Sequence, residues 1–149
     1  MKKVTYLLIF SSLLFSCKKS EGNLNFDDSQ SIEQKQKELS KYPTTVTFNK
    51  VLHDFGEIQQ GEVVETEFIV KNTGKNDLYI LDAFASCGCT ILEVSKEPLK
   101  SGESKPIKVK FDSNGKSGFI EKSVNIRCNT SRMLETVKLK LILKQTNKP

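Results

Sequence analysis

The chain has no tryptophan, a single histidine (His53) and only four cysteines among its 149 residues. Each scarcity excludes something. Without tryptophan there is no Cys…Trp…Cys core of the antibody-domain kind. One histidine leaves no H-E-x-x-H zinc helix, and neither G-x-S-x-G nor a glycine-rich phosphate loop occurs. Four cysteines (Cys17, Cys87, Cys89 and Cys128) are too few for a disulfide-dense miniature scaffold. Carboxylates such as Glu57, Asp82 and Asp112 are scattered, with no pairing suited to acid–base work. No catalytic residue is assigned, no enzyme activity is expected and no cofactor is implied.

What is present begins with an address. Lys2 and Lys3 precede an apolar stretch, Val4 to Phe10 and then Leu13-Leu14-Phe15, which is too short for a stable membrane span and reads as a secretory signal. It runs into Leu14-Phe15-Ser16-Cys17, which resembles the lipobox of bacterial lipoproteins. That resemblance implies a signal peptide over residues 1–16 and a lipidated Cys17, carrying palmitate-type acyl chains, as the first mature residue. At about 0.8 kcal/mol per buried methylene, several chains anchor durably. Of 23 basic residues, Lys2 and Lys3 leave with the signal, so 21 face 18 acidic ones and the mature chain is only mildly basic. The exported compartment permits disulfides.

Residues 17–43 are expected to tether the lipid to a folded domain over residues 44–149. The stretch is polar; Ser31 can cap a short helix with a thin apolar face, ending before Pro43. From Thr44 the hydrophobic period becomes two. Val64, Phe68 and Val70 alternate with Glu65, Glu67 and Lys71, and Leu78, Ile80 and Phe84 are expected to continue that inward phase. Ile107, Val109 and Phe111 alternate with lysines; Ile120, Val124, Ile126 and Cys128 share a side; Val137, Leu139, Leu141 and Leu143 alternate with Lys138, Lys140 and Lys144. Turn signals at Gln60-Gly61, Thr73-Gly74, Lys100-Ser101-Gly102 and Asn114-Gly115 separate the runs. About seven strands and no internal helix predict an all-β fold, a single immunoglobulin-like antiparallel β-sandwich.

The ordered set His53-Asp54-Phe55-Gly56-Glu57-Ile58, Asn72-Thr73-Gly74 and Ser86-Cys87-Gly88-Cys89-Thr90, followed by Ile107-x-Val109-x-Phe111-Asp112 and Lys116-x-Gly118, resembles a bacterial family of unknown function. The family is common among envelope lipoproteins of the Bacteroidota and is similar in fold to the immunoglobulin-like domains of the major-sperm-protein and cilium-associated type. The resemblance covers residue 46 to about 144 and implies a fold and an address rather than an activity. Cys128, just before Asn129, departs from the small polar residue expected there. Surface-export signals in this lineage tend, by resemblance, to be acidic after the lipidated cysteine. Lys18 and Lys19 therefore imply a lipid-anchored protein of the cell envelope, facing the periplasm from the outer membrane.

The candidate chemistry is a thiol site of Cys87, Cys89 and Cys128. Residues i and i+2 of an extended strand have Cα atoms about 6.5–7 Å apart, near or beyond the usual disulfide range of about 4.4–6.8 Å. That spacing argues against an easy Cys87–Cys89 bond unless a turn at Gly88 shortens it. Cys128 shares the phase of the core, so a bridge from it to Cys87 or Cys89 across the sheets is the competing expectation, leaving one thiol odd. Reduced, the Cys87/Cys89 pair suits Cu(I) or thiol exchange. His53 is either a third metal ligand or acid/base, or it and Asp54 hydrogen-bond a turn while Phe55 packs inward. Two basic stripes, Lys105/Lys108/Lys110 and Lys138/Lys140/Lys144, either attract anionic lipid or polysaccharide or simply solvate the sheets. Without interleaved aromatics, nucleic acid is not an expected partner. The leading expectation is a non-catalytic binding or structural module whose partner is an envelope protein or glycan. The alternative is a soft-metal or thiol-redox protein.

Overall fold

The computed structural model describes residues 29–144. A helix does form before the strands: α1, Ile32–Leu39, starts in a capping box in which Ser31 Oγ accepts from Gln34 N–H while Gln34 Oε1 accepts from Ser31 N–H. Its thin apolar face ends in Leu39, which is fully buried, and the helix lies against the start of the sandwich near β4 (Ile80–Ala85). The end of this helix, within the expected tether, thus packs on the folded body.

Eight strands follow: β1 Val46–Phe48, β2 Leu52–Gln59, β3 Val63–Asn72, β4 Ile80–Ala85, β5 Thr90–Val94, β6 Ser104–Asp112, β7 Gly118–Cys128 and β8 Leu134–Lys144. They form two four-stranded sheets, β1-β3-β6-β5 and β2-β8-β7-β4, packed face to face. The count exceeds seven because residues 46–59 make two strands in different sheets. All strand pairs are antiparallel except β2 against β8, which run parallel.

The core follows the period-two pattern. Phe68 and Val70 of β3, Ile107, Val109 and Phe111 of β6, Val124 and Ile126 of β7, and Val137, Leu139 and Leu141 of β8 are buried between the sheets. Phe84 is a correction: it points outward, with the Arg127 guanidinium 5.4 Å from its ring centroid. The β4–β7 register shifts between Ile80 and Asp82, and one extra residue inverts every later side chain. Ile80 faces the core before the shift; after it, Ala83 packs against the core instead of Phe84.

Two buried asparagines tie the ends of the strands. Asn72 Nδ2 donates to the carbonyls of Asn76 and Leu99, while its Oδ1 accepts from Thr44 Oγ1 and Gly74 N–H. Asn129 Nδ2 donates to the carbonyls of Tyr42 and Asp77, and its Oδ1 accepts from Tyr79 N–H. Gly74 is required by contact: a Cβ there would overlap Thr44 Oγ1 and lie 2.6 Å from Thr45 N.

Candidate functional site

The corner where the chain leaves β4 for β5 changes sheets within Ser86-Cys87-Gly88-Cys89. Here Cys87 and Cys89 are bonded to each other, with their Cα atoms 5.3 Å apart. The expected obstacle was the extended-strand spacing, and the chain is not extended here: it turns, and Thr90 N–H reaches back to Cys87 O at 3.4 Å. Glycine's special conformations are not what allows this. Gly88 is not among the residues of positive φ, and a Cβ on it would meet open space.

Both cysteines are half-buried. Cys89 packs its edge on the core and, with Gly88, Lys110 and Asp112, lines a cavity of about 180 Å³. Cys87 turns instead towards Thr90, its Sγ 3.7 Å from the Thr90 hydroxyl. A ring closed over so few residues removes little freedom from the unfolded chain, about 1.5 kcal/mol by the loop-entropy relation. The bond is a poor staple for the domain as a whole.

Cys128 is not the third member of this site. It is a buried free thiol at the end of β7, paired in register with Ile80 at the start of β4, whereas the disulfide follows the far end of β4, where Ala85 faces Val124. The four residues of β7 from Val124 to Cys128 alone put about 13 Å between the two levels at about 3.3 Å per residue. The shared phase of Cys128 with the core was correct, but phase says nothing about position along the strand. Burial pushes the Cys128 thiol up from its usual value, opposed by hydrogen bonds around Thr130. That makes it a poor nucleophile and ligand.

His53 lies on β2, at the opposite edge of its sheet from β4, so three strand spacings, about 14 Å, separate it from the disulfide corner. Its Nδ1 is 2.9 Å from Lys50 Nζ, which also donates to Thr66 Oγ1 and stands 5.4 Å from the centroid of the Phe68 ring. The ammonium needs an acceptor, so Nδ1 is unprotonated and the imidazole neutral. Burial first, then the Lys50 charge, hold His53 below its ordinary value, against a smaller pull upward from Asp54. Asp54 Oδ1 accepts from Gly56 N–H at the β2 bulge, and Phe55 packs on the core with its ring edge-on to the imidazole. The histidine closes the seam between the sheets. Among the described residues no group of three or more His, Cys, Asp or Glu side chains converges in a way that could hold a metal ion.

The lysines of both stripes carry carboxylate partners. Lys110 pairs with Glu65 at 2.9 Å, Lys108 with Glu93 at 3.7 Å and Lys105 with Glu97 at 2.9 Å. On the other sheet Lys138 pairs with Glu121 at 2.8 Å and Lys140 with Asp54 at 3.1 Å, and Lys144 pairs with Glu57. The stripes are therefore mixed-charge ladders, which removes the argument for an anion-attracting face.

A feature that periodicity did not reveal is the uncovered side of β3. β1 is three residues long and pairs only with Val70, Lys71 and Asn72; Asn49 then closes on the N–H and C=O of Ile69 before the chain crosses to the other sheet. Hydrogen-bond direction alternates along a strand as side chains do. The N–H and C=O groups of Val63, Glu65 and Glu67 therefore face the same way as those of Ile69. No strand of the described residues pairs with them there. Val63 is exposed, and Glu65, Thr66 and Glu67 also line a shallow depression of about 340 Å³ on the outer face. The only signal in the sequence is the brevity of Val46-Thr47-Phe48 before Asn49-Lys50.

Two facing sheets joined by crossovers define an immunoglobulin-like β-sandwich. Residues 46–143 match the family model described as Protein of unknown function (DUF1573), and the chain belongs to that family. No curated protein matches it. Among solved structures it resembles a protein of unknown function from Porphyromonas gingivalis W83 (19% identity, TM-score 0.60, covering 68% of this chain and 47% of the other). It also resembles the YadV chaperone (11%, TM-score 0.51, 70% and 54%) and the VesB protease of Vibrio cholerae (14%, TM-score 0.53, 80% and 40%). The chain spans about half or less of each of these structures, and at such identity the likeness is one of fold. Cys17 lies outside the described residues, and among those described no helix is long and apolar enough to cross a membrane.

Proposed function

We propose that this protein is a non-catalytic envelope lipoprotein, lipidated at Cys17 and facing the periplasm from the outer membrane, that binds an extended segment of another envelope protein along the open edge of β3. The single observation that carries the reading is that edge: the backbone groups of Val63, Glu65 and Glu67 point outward beside a β1 that ends at Phe48. An incoming strand gains main-chain hydrogen bonds there and seats alternate side chains against the sheet, as in recognition by strand addition. Glu67, next to the Glu65–Lys110 pair, favours a segment with lysine or arginine opposite it. A second copy of this edge is disfavoured, because antiparallel pairing sets carboxylates against carboxylates. The signal-like leader and Ser16-Cys17 support the address. The mixed-charge faces, where each stripe lysine already has a carboxylate partner, support a module that holds rather than transforms its partner.

A photocross-linking residue at position 65 tests the reading in intact cells. The expected result is one predominant cross-linked envelope protein, lost in Glu67→Pro, which removes an edge donor without breaking a β3–β6 bond. Unchanged cross-links in that variant would sink the idea. Cys17→Ser is expected to move the protein from the membrane to the soluble fraction and to remove the acyl mass.

A further inference from the structure

We infer that the Cys87–Cys89 disulfide is an exchangeable redox site that accepts two electrons from a dithiol of another molecule, with Cys89 as the sulfur attacked and Cys87 as the leaving thiolate. The inference rests on the asymmetry of the two sulfurs and is independent of the β3 edge. Cys89 lines the cavity of about 180 Å³ together with Gly88, where a Cβ would meet no atom within 4 Å beyond the two neighbouring cysteines. Cys87 is absent from that lining and lies 3.7 Å from the Thr90 hydroxyl. The Lys110 ammonium, also on the cavity, favours an approaching thiolate; Asp112 on the same wall and Glu65, which pairs with Lys110, oppose it in part. A half-buried bond whose Cys89 borders a cavity, and which closes so short a loop, suits exchange better than stapling.

A thiolate of the dithiol attacks Cys89 Sγ, forming a mixed disulfide as the Cys87–Cys89 bond breaks. The bonding pair stays on Cys87 Sγ, which leaves as a thiolate receiving a hydrogen bond from Thr90 Oγ1 and then takes a proton from solvent. The second thiolate of the dithiol attacks its own sulfur in the mixed disulfide and releases Cys89 as a thiolate, which is protonated in turn. The dithiol has become a disulfide, and Cys87 and Cys89 have become two thiols: two electrons and two protons have moved. Cys128 takes no part, being buried and distant.

The test uses the full-length mature protein in detergent at pH 7, with glutathione to trap the first step and dithiothreitol to complete it. Glutathione is expected to appear on Cys89 by fragment mass, and dithiothreitol to reduce the pair in the folded state. Thr90→Val is expected to slow reduction about tenfold and to raise the pH at which Cys87 is alkylated, while Thr90→Ser restores both, as loss and return of one hydrogen bond to a thiolate require. Glutathione on Cys87, or reduction that needs urea, would overturn the inference, whatever the variants do. Equal rates in Thr90→Val and wild type would overturn the role of Thr90 as the group that assists the leaving sulfur.

Discussion

At the scale of single residues, the side chains that matter most are the ones that end strands rather than fill the core. Asn72 satisfies both ends of its amide with four hydrogen bonds while fully buried, and Asn129 does nearly the same on the facing side. Removing either side chain strands buried carbonyls and N–H groups. Asn72→Ala is expected to cost about 2–3 kcal/mol in urea unfolding. Gly74→Ala, whose new methyl meets Thr44 and the backbone of Thr45, is expected to cost about 1–3 kcal/mol by the same measurement. His53 contributes a pH dependence near neutrality. Because the folded state holds its pKa below the usual value near 6.5, the unfolded chain takes up the proton first. The stability from neutral His53 is complete above that value and falls as pH drops through it towards the lower folded pKa. Melting temperatures are expected to decline between pH 7 and 5 more steeply in the wild type than in His53→Gln. Asp54, held below the usual carboxylate range chiefly by Gly56 N–H, acts in a separate, more acidic window, below its usual 3.8.

At the scale of elements, alternation located the strands and most of their buried faces, because burying one face of a sheet imposes a period of two on the chain. Val137, Leu139, Leu141 and Leu143 were legible for that reason, and all are buried. Alternation fails wherever register breaks. Phe84 reads as inward only if β4 is regular, and the shift between Ile80 and Asp82 makes it outward. The disulfide was left open for a related reason: spacing along an extended strand argues against it, and only the turn in which Cys87 and Cys89 sit removes that obstacle. The supposed approach of Cys128 confused facing the core with lying at the same level of it. Gly88 tests the corrected view. Since its conformation is ordinary and its Cβ position empty, Gly88→Ala is expected to keep the disulfide and change stability by less than about 1 kcal/mol, checked by thiol titration and urea unfolding. The open side of β3 was illegible because strand length sets which edges are covered, and no local pattern marks where a short strand stops.

At the scale of the whole molecule, two sheets share one core, with their outer faces laced by ion pairs. The pairs on the lysine stripes are largely solvent-exposed and add little to stability, so they serve solubility and edge protection instead. Stability comes from the interior led by Phe68 and Phe111. The bare edge of β3 is the surface proposed here for selective contact. Amide hydrogen exchange on the isolated mature protein, resolved residue by residue along β3, tests that claim most directly. Val64, Thr66 and Phe68, whose amides face β6, are expected to be protected, while Val63, Glu65 and Glu67 exchange at least about a hundredfold faster, as open edge groups do. Equal and strong protection of both sets would mean that the edge is already covered, and would contradict the account.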